Sequence, residues 1–268
     1  MTCATTTLPE AFRGRHQLEP NERFPFSCHP GVPCFNQCCS DVTILLTPAD
    51  ALRLARRLGM GTREFLDRHT LMPAASEVGL PVVMLRMEEA GPHRCPFVGE
   101  QGCTVYDARP WACRMYPVGM GVPPARAGVE PEPVYVLFED DFCHGRNEQR
   151  TWTVDEWRRD QRVDEQEALD AGFRSVMAHP WFIGGTRRLD RRQIEMFVMA
   201  AYDLDTFRSF VLESTFLKRF VIEPECEQRL ATDDAALLDL AFRWLRFALF
   251  GEPALVVRTA PAAEGRTS

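Results

Sequence analysis

Four cysteines within twelve residues constrain this chain more than any other feature. They lie in CHPGVPCFNQCC as Cys28, Cys34, Cys38 and Cys39, and the last two are adjacent. Nine of the ten cysteines fall in the first 143 residues, and eight of those lie between Cys28 and Cys143. Because a chain of 268 residues can bury a core without disulfides, this density indicates metal binding or redox chemistry.

Compartment and charge narrow the classes of function. The N-terminal sequence MTCATTTLPEAFRGRHQLEP lacks an apolar stretch between a basic start and a small-residue cleavage site, so no secretory signal is predicted. No run approaches the roughly 18 apolar residues of a transmembrane helix. We therefore expect a cytoplasmic protein with reduced thiols. The net charge of −7 and the pI near 5.5 argue against nucleic-acid and membrane partners, and a protein partner stays open.

Local signals predict the secondary structure. Thr47 can cap a helix that starts at Pro48, Asp50 suits the third position, and Gly59 can end it. A second helix is predicted from Thr62. The other predicted elements are strands at 82–87 and 134–138, a short helix or turn at 107–116, a loop at 117–133, and helices at 153–178, 190–201, 203–220 and 232–250.

These patterns predict an α+β fold in which a small cysteine-rich metal-binding domain of short strands and helices precedes a mainly helical region. The predicted boundaries are 20–150 for the metal-binding domain, 151–256 for the helical region and 257–268 for a disordered tail. The uneven distribution of cysteine is the main reason for this division.

The cysteine spacing excludes several common sites. The first cysteine block (residues 28–39) reads C-x5-C-x3-C-C, and the second cysteine block (residues 95–113) reads C-x7-C-x9-C. No C-x-x-C occurs, which removes the usual zinc-finger turn and the thioredoxin motif. In extended chain Cys38 and Cys39 would point to opposite faces. Their adjacency therefore suggests two metal centres or one polynuclear cluster held by a bent backbone, unless one of them is a buried apolar side chain.

Two stretches carry a resemblance to a known family. They are FSCHPGVPCFNQCCSD and RCPFVGEQGCTVYDARPWACRMYP, the second of which holds Arg109-Pro110 and Cys113-Arg114-x-Tyr116-Pro117. Over residues 26–143 the chain resembles the YkgJ family of cysteine-cluster proteins, described as a zinc- or iron-chelating domain. The resemblance implies metal ligands at Cys34, Cys38, Cys39, Cys95, Cys103 and Cys113. The first block is wider than the C-x2-C-x2-C-C form of that family, so Cys28 and Cys34 are alternatives for the first ligand.

The cysteines between residues 28 and 143 form the predicted ligand set: Cys28, Cys34, Cys38, Cys39, Cys95, Cys103, Cys113 and Cys143. Thiolate surroundings suit zinc or iron–sulfur and exclude magnesium and calcium. We predict an iron–sulfur cluster of the 4Fe–4S type, with zinc as the alternative. More than four thiolates imply two centres or additional cysteines outside the metal shell. Arg109 and Arg114 could offset the thiolate charge, and surface salt bridging is the alternative role, above all for Arg114.

Other residues are weaker candidates. His29, His93 and His144 lie near cysteines, and Glu139, Asp140 and Asp141 precede Cys143; we interpret them as surface residues. Cys3 and Cys226 are predicted not to bind metal. Two further functions stay open: an enzyme, either redox or similar to the flagellin lysine N-methylases, which contain a similar cysteine cluster, and a zinc-stabilised interaction module.

Overall fold

The computed structural model describes residue 12 and residues 14–73, 81–122, 132–183 and 188–258. The chain divides into two compact units, each made of two chain segments. The thiol unit comprises Met1–Leu45 and Leu85–Glu167, and the helical unit comprises Leu46–Met84 and Ala168–Ser268.

The described residues form short strands and mostly short helices. In chain order the strands are β1 (His16–Gln17), β2 (Phe24–Pro25), β3 (Thr70–Leu71), β4 (Met84–Leu85), β5 (Val98–Gly99), β6 (Gly102–Cys103), β7 (Val118–Gly121), β8 (Val134–Leu137), β9 (Thr151–Trp152), β10 (Phe220–Val221) and β11 (Val256–Val257). The helices are α1 (Pro48–Arg57), α2 (Thr62–His69), α3 (Trp111–Met115), α4 (Val154–Asp160), α5 (Val163–Leu169), α6 (Ala171–Met177), α7 (Pro180–Ile183), α8 (Arg191–Ala201), α9 (Leu204–Glu213), α10 (Phe216–Arg219), α11 (Pro224–Arg229) and α12 (Asp234–Phe250). The predicted α+β class is confirmed, with helices dominating the second half of the chain.

The thiol unit has its own apolar core. Strands β1, β8 and β7 form an antiparallel sheet in that order, and β2 pairs with β9. Phe24, Phe26, Met115, Trp152 and Trp157 are buried together beside the sheet. Both indole groups are satisfied, since the Nε1–H of Trp152 donates to the Phe26 carbonyl (2.8 Å) and that of Trp157 donates to the Met115 carbonyl (3.0 Å). This core fixes the chain on either side of the cysteines.

The helical unit is organised around α12. Leu237, Leu238, Ala241 and Leu245 are buried along one side of this helix. Gly172 on α6 allows close packing, because a Cβ there would lie 2.6 Å from Cδ2 of Phe242. The helix begins after an Asp233 side-chain cap and ends at Gly251, whose φ of 70° is left-handed. Apolar side-chain burial therefore accounts for the order of this unit.

The start of α1 follows the sequence prediction. Thr47 accepts a hydrogen bond from the Asp50 backbone N–H (3.1 Å), and the Asp50 side chain accepts one from the Thr47 N–H (2.9 Å). Pro48 occupies the first helical position. At the other end Gly59 adopts a φ of 68°. The predicted helix is confirmed at both ends because these signals are local.

Three predicted elements are wrong in detail. The single helix predicted over 203–220 is divided into α9 and α10. The single helix predicted over 153–178 is three helices, α4, α5 and α6, and the first break coincides with the left-handed φ of 54° at Arg162. The loop predicted over 117–133 begins with strand β7, while 123–131 lie outside the described residues. The glycines of β7 serve close packing: a Cβ at Gly119 would lie 2.8 Å from the Phe138 ring, and one at Gly121 would lie 2.5 Å from the Phe12 ring.

The two units divide the chain differently from the boundaries expected from cysteine content. Residues 46–84, expected in the 20–150 domain, belong to the helical unit, where the Tyr202 hydroxyl donates to the Leu46 carbonyl (3.1 Å). Residues 151–167 belong to the thiol unit because Trp152 and Trp157 complete its core. In the expected tail, Val257 pairs with Phe220 across β10 and β11, and 259–268 lie outside the described residues.

Candidate metal centre

All of the predicted ligand cysteines lie in the thiol unit, even though its boundaries differ from the expected ones: Cys28, Cys34, Cys38, Cys39, Cys95, Cys103, Cys113 and Cys143. Each is a free thiol. Cys34 and Cys143 are buried, with 7% of each residue exposed, and Cys113 is half-buried on α3. Cys226 lies on α11 of the helical unit, and Cys3 lies outside the described residues.

The first cysteine block ends in a tight turn. Asn36 has a left-handed backbone with φ of 69°, and Gln37–Cys39 then form a single 3-10 turn. In this turn the Cys39 thiol comes within hydrogen-bonding reach of Cys38. The backbone is therefore bent at the adjacent pair, which lets both thiols face one site.

Backbone contacts join the two cysteine blocks. The Cys95 N–H donates to the Cys39 carbonyl at 2.7 Å. Next to it, Ser40 and Arg94 form an antiparallel bridge. These bonds bring the end of the first block against the start of the second, although they are far apart in the chain.

A hairpin of the second block packs against the residues between Cys34 and Cys38. The Asn36 side-chain amide donates to the carbonyl of Gly99 on β5 (3.3 Å). On β6, Gly102 has a φ of 112°, and a Cβ there would lie 3.1 Å from Cζ of Phe35. A larger residue at this position would be strained and would push Phe35 away. The hairpin that carries Cys103 is thereby held beside the first block.

Cys143 closes the cluster from a third segment. The backbone N–H of His144 donates to the Cys34 sulfur at 3.1 Å. The next residue, Gly145, accepts a hydrogen bond from the Ser27 N–H (3.0 Å), which holds the Cys28 segment alongside. The segments of Cys28, Cys34 and Cys143 therefore meet in one neighbourhood.

The thiols interact electrostatically. Loss of hydration, followed by the nearby thiols of Cys38, Cys34 and Cys143, raises the pKa of Cys28 to about 11, although the residue as a whole is exposed. The contact with Cys39, followed by burial, raises the pKa of Cys38. Several thiols in one place disfavour ionisation of each other. A bound cation would relieve this repulsion, so metal binding would release protons.

Arg109 lies where its charge can offset that of the thiolates, as predicted from the sequence. Burial raises the pKa of Cys103, and the Arg109 guanidinium opposes that rise, as it does at Cys28 and Cys38. The Arg109 guanidinium lies 3.5 Å from the Tyr106 ring centroid and donates to the Gln161 side chain at 2.7 Å. Its positive charge is thus held near cysteines of both blocks.

Arg114 lies inside the thiol unit and not at its surface. Only 3% of the residue is exposed, which contradicts the surface position of a salt-bridging arginine. Its guanidinium donates to the carbonyls of Arg109 (3.0 Å), Gln161 (2.8 Å) and Asp107. Arg114 therefore fixes the backbone that carries Arg109.

The histidines near the cysteines remain at the surface. His29 is exposed and lies 3.4 Å from a Glu148 carboxylate oxygen, and His93 is exposed with a left-handed φ of 46°. His144 is exposed as well, and its backbone N–H makes the contact with Cys34.

The acidic residues before Cys143 differ from one another. Glu139 and Asp141 are exposed, in agreement with an acidic surface turn. Asp140 is half-buried and accepts a hydrogen bond from the Tyr116 hydroxyl at 3.3 Å. Tyr116 also contacts the Cys143 thiol. The sequence motif contains Tyr116, but only the fold shows its contact with this turn.

The donor chemistry fits a thiophilic metal. Thiolates are soft ligands that suit zinc and iron–sulfur clusters. Within the described ranges, no three Cys, His, Asp or Glu side chains stand in a ready coordination shell. The backbone contacts described above therefore bring the cysteine segments together without forming a complete ligand shell.

The described helices include none with the length and apolarity needed to cross a bilayer. Comparison with curated proteins and with solved structures gives no match. Residues 27–144 match the CxxCxxCC family model, described as "Putative zinc- or iron-chelating domain". This segment contains every cysteine of the cluster described above. The match supports metal binding through the cysteines of residues 27–144.

Proposed function

We propose that the thiol unit holds an iron–sulfur cluster of the 4Fe–4S type through cysteine thiolates, with zinc as the alternative metal. The observation that carries this proposal is the 2.7 Å hydrogen bond from the Cys95 N–H to the Cys39 carbonyl. It joins the two cysteine blocks at the vicinal pair. Without such a contact the blocks could serve separate sites.

Four features favour a polynuclear centre over a single zinc ion. The thiol unit contains more free cysteines than the four thiolates that one zinc ion takes. The turn at Cys38 and Cys39 places adjacent thiols together. The Cys34 sulfur accepts a backbone hydrogen bond, and such bonds help to set the reduction potential of iron–sulfur clusters. Arg109 offsets the negative charge that several thiolates bring.

The test is anaerobic purification of the full chain, followed by metal analysis and an optical spectrum. An iron–sulfur cluster predicts a brown protein with broad visible absorption that bleaches on reduction. A colourless protein containing zinc would select the alternative. A protein that contains neither metal, and takes up neither when supplied with it, would contradict the proposal.

Serine variants identify the ligands. Cys38→Ser, Cys39→Ser and Cys103→Ser should lower metal content, because an alcohol is a much weaker ligand for these metals than a thiolate. Cys226→Ser is the matched control, since it changes a half-buried thiol in the helical unit. Equal metal content in Cys38→Ser, Cys39→Ser and the wild type would show that the vicinal pair is not a ligand pair.

A further inference from the structure

Tyr116 is held rigidly at the edge of the thiol cluster. It follows α3 directly, and its ring stacks on Phe138 with centroids 6.5 Å apart and an interplanar angle of 7°. The Phe26 ring meets it edge-on at 6.0 Å. The same side chain packs against the apolar cluster that includes Cys143. The surrounding rings therefore leave the hydroxyl as the part of Tyr116 that can change partner.

The hydroxyl of Tyr116 faces two acceptors. The Asp140 Oδ2 lies 3.3 Å from the hydroxyl oxygen, and the Cys143 sulfur is also within hydrogen-bonding reach. Both acceptors belong to one turn, since the Cys143 N–H donates to the Asp140 carbonyl at 2.9 Å. A phenol has one proton to donate, so Tyr116 donates to the carboxylate or to the sulfur.

The charge on the sulfur decides which acceptor is favoured. A neutral thiol is a weak acceptor, whereas a thiolate attracts a charge-assisted hydrogen bond. Metal binds cysteine as the thiolate, so a metal-bound Cys143 would be the stronger acceptor for the Tyr116 hydroxyl.

We propose that Tyr116 is a positioning residue of the metal centre, whose hydroxyl turns from Asp140 to the Cys143 sulfur when that sulfur binds metal. This inference rests on the proposed function, because it requires Cys143 to be a ligand. Hydrogen bonds to ligand atoms orient them and tune the metal, and their loss typically weakens metal affinity by about 10- to 100-fold. Tyr116 would thus stabilise the bound state and lower the electron donation of Cys143.

The probe is Co²⁺, added to metal-free full-length protein under reducing conditions, because thiolate-to-cobalt charge transfer is visible in the absorption spectrum. The test variant is Tyr116→Phe, which removes the hydroxyl and keeps the ring. The matched control is Tyr135→Phe. Tyr135 is also half-buried and packs on the same apolar cluster, but Arg158 and Glu167 are its charged neighbours.

We expect Tyr116→Phe to bind Co²⁺ about 10-fold more weakly or worse, with its charge-transfer band moved to lower energy, because a sulfur without the hydrogen bond donates electrons more readily. Tyr135→Phe should match the wild type in both, and the metal-free variants should melt alike. Wild-type affinity and band position in Tyr116→Phe would overturn the inference, as would a weaker affinity without a band shift, which indicates a packing role. If the wild type itself gives no thiolate–cobalt band, the proposed function fails as well.

Discussion

The helical unit and the thiol unit are ordered by different means. In the helical unit, residues such as Phe197, Phe207 and Phe242 are almost fully buried, and α12 runs over 17 residues. In the thiol unit the apolar core surrounds Trp152 and Trp157, whereas the cysteine blocks consist of two-residue strands and 3-10 turns. Apolar burial orders the helical unit throughout. Around the cysteines of the thiol unit, backbone hydrogen bonds and neighbouring thiols take its place.

The difference indicates where a metal would contribute to stability. Short irregular segments cost conformational entropy to order and bury little apolar surface in return. A ligand that binds only the ordered state adds its binding free energy to folding. We therefore expect metal to stabilise the cysteine blocks and to leave the helical unit almost unaffected.

Metal removal should give the largest effect. For a structural zinc site the coupled free energy is on the order of 10 kcal/mol. Stripping the metal with a strong chelator under reducing conditions should therefore abolish much of the hydrogen-exchange protection in peptides that cover residues 28–39 and 93–103. Peptides that cover 234–250 serve as the internal control and should keep theirs. Equal loss of protection in both regions would remove the contrast between the two units.

A core truncation probes the helical unit. Phe207 on α9 is fully buried, and its ring lies 5.5 Å from Trp244 and 6.3 Å from Phe216. Phe207→Ala should lower the free energy of unfolding by about 3–5 kcal/mol, measured by urea denaturation. Leu212→Ala changes a side chain on the same helix that is 40% exposed, so it should cost much less. Similar losses in the two variants would argue against apolar burial as the main source of stability here.

Arg114 is the corresponding test within the thiol unit. Lysine keeps the positive charge but loses the planar fork of donors, so Arg114→Lys leaves carbonyls among Asp107, Arg109 and Gln161 unsatisfied. The expected loss of stability is about 1–3 kcal/mol. Arg159→Lys is the control, because Arg159 is exposed and donates to a single carbonyl, that of Asp155 (3.2 Å). If Arg114→Lys were as stable as its control, the guanidinium would not be fixing this backbone.

Acid should produce the smallest effect, and it concerns the helical unit. The Arg56 guanidinium, which hydrogen-bonds Asp205, lowers the pKa of that carboxyl to about 2. A lowered folded-state pKa stabilises the protein above the ordinary value of about 4 and loses this contribution as pH falls from about 4 to 2. Since Asp205 is partly exposed, we expect less than about 1 kcal/mol.

Asp205→Asn should therefore flatten the decline in stability between pH 4 and 2, measured by urea denaturation at each pH. Asp239→Asn removes an exposed carboxylate of the same unit and should leave the decline unchanged. An identical pH dependence in Asp205→Asn and the wild type would contradict this assignment.

Local sequence signals predicted the parts of the fold that depend on neighbours in the chain. Helix α1 could be predicted because capping and chain reversal act over a few residues. The residues that define its ends are Thr47, Pro48, Asp50 and Gly59. The cysteine spacing likewise identified one thiol-rich region, and all eight candidates lie in one unit.

Contacts between residues far apart in the chain could not be predicted from those local signals. Residues 46–84 belong to the helical unit because of bonds such as that from Tyr202 to Leu46, which no local pattern encodes. In the same way, the sequence suggested a surface cation at Arg114, whereas in the fold its guanidinium donates to three carbonyls. Tyr116 stands in a recognisable motif, but its proximity to Asp140 arises only when the chain returns through β8.

X-ray absorption at the metal edge of the anaerobically purified full chain tests most directly whether cysteine thiolates hold the metal. The account predicts a first shell of sulfur at about 2.3 Å, the distance typical of metal–thiolate bonds. Metal–metal scattering would accompany it for the cluster and be absent for a single zinc ion. A first shell of nitrogen or oxygen at about 2.0–2.1 Å would contradict thiolate binding by this unit.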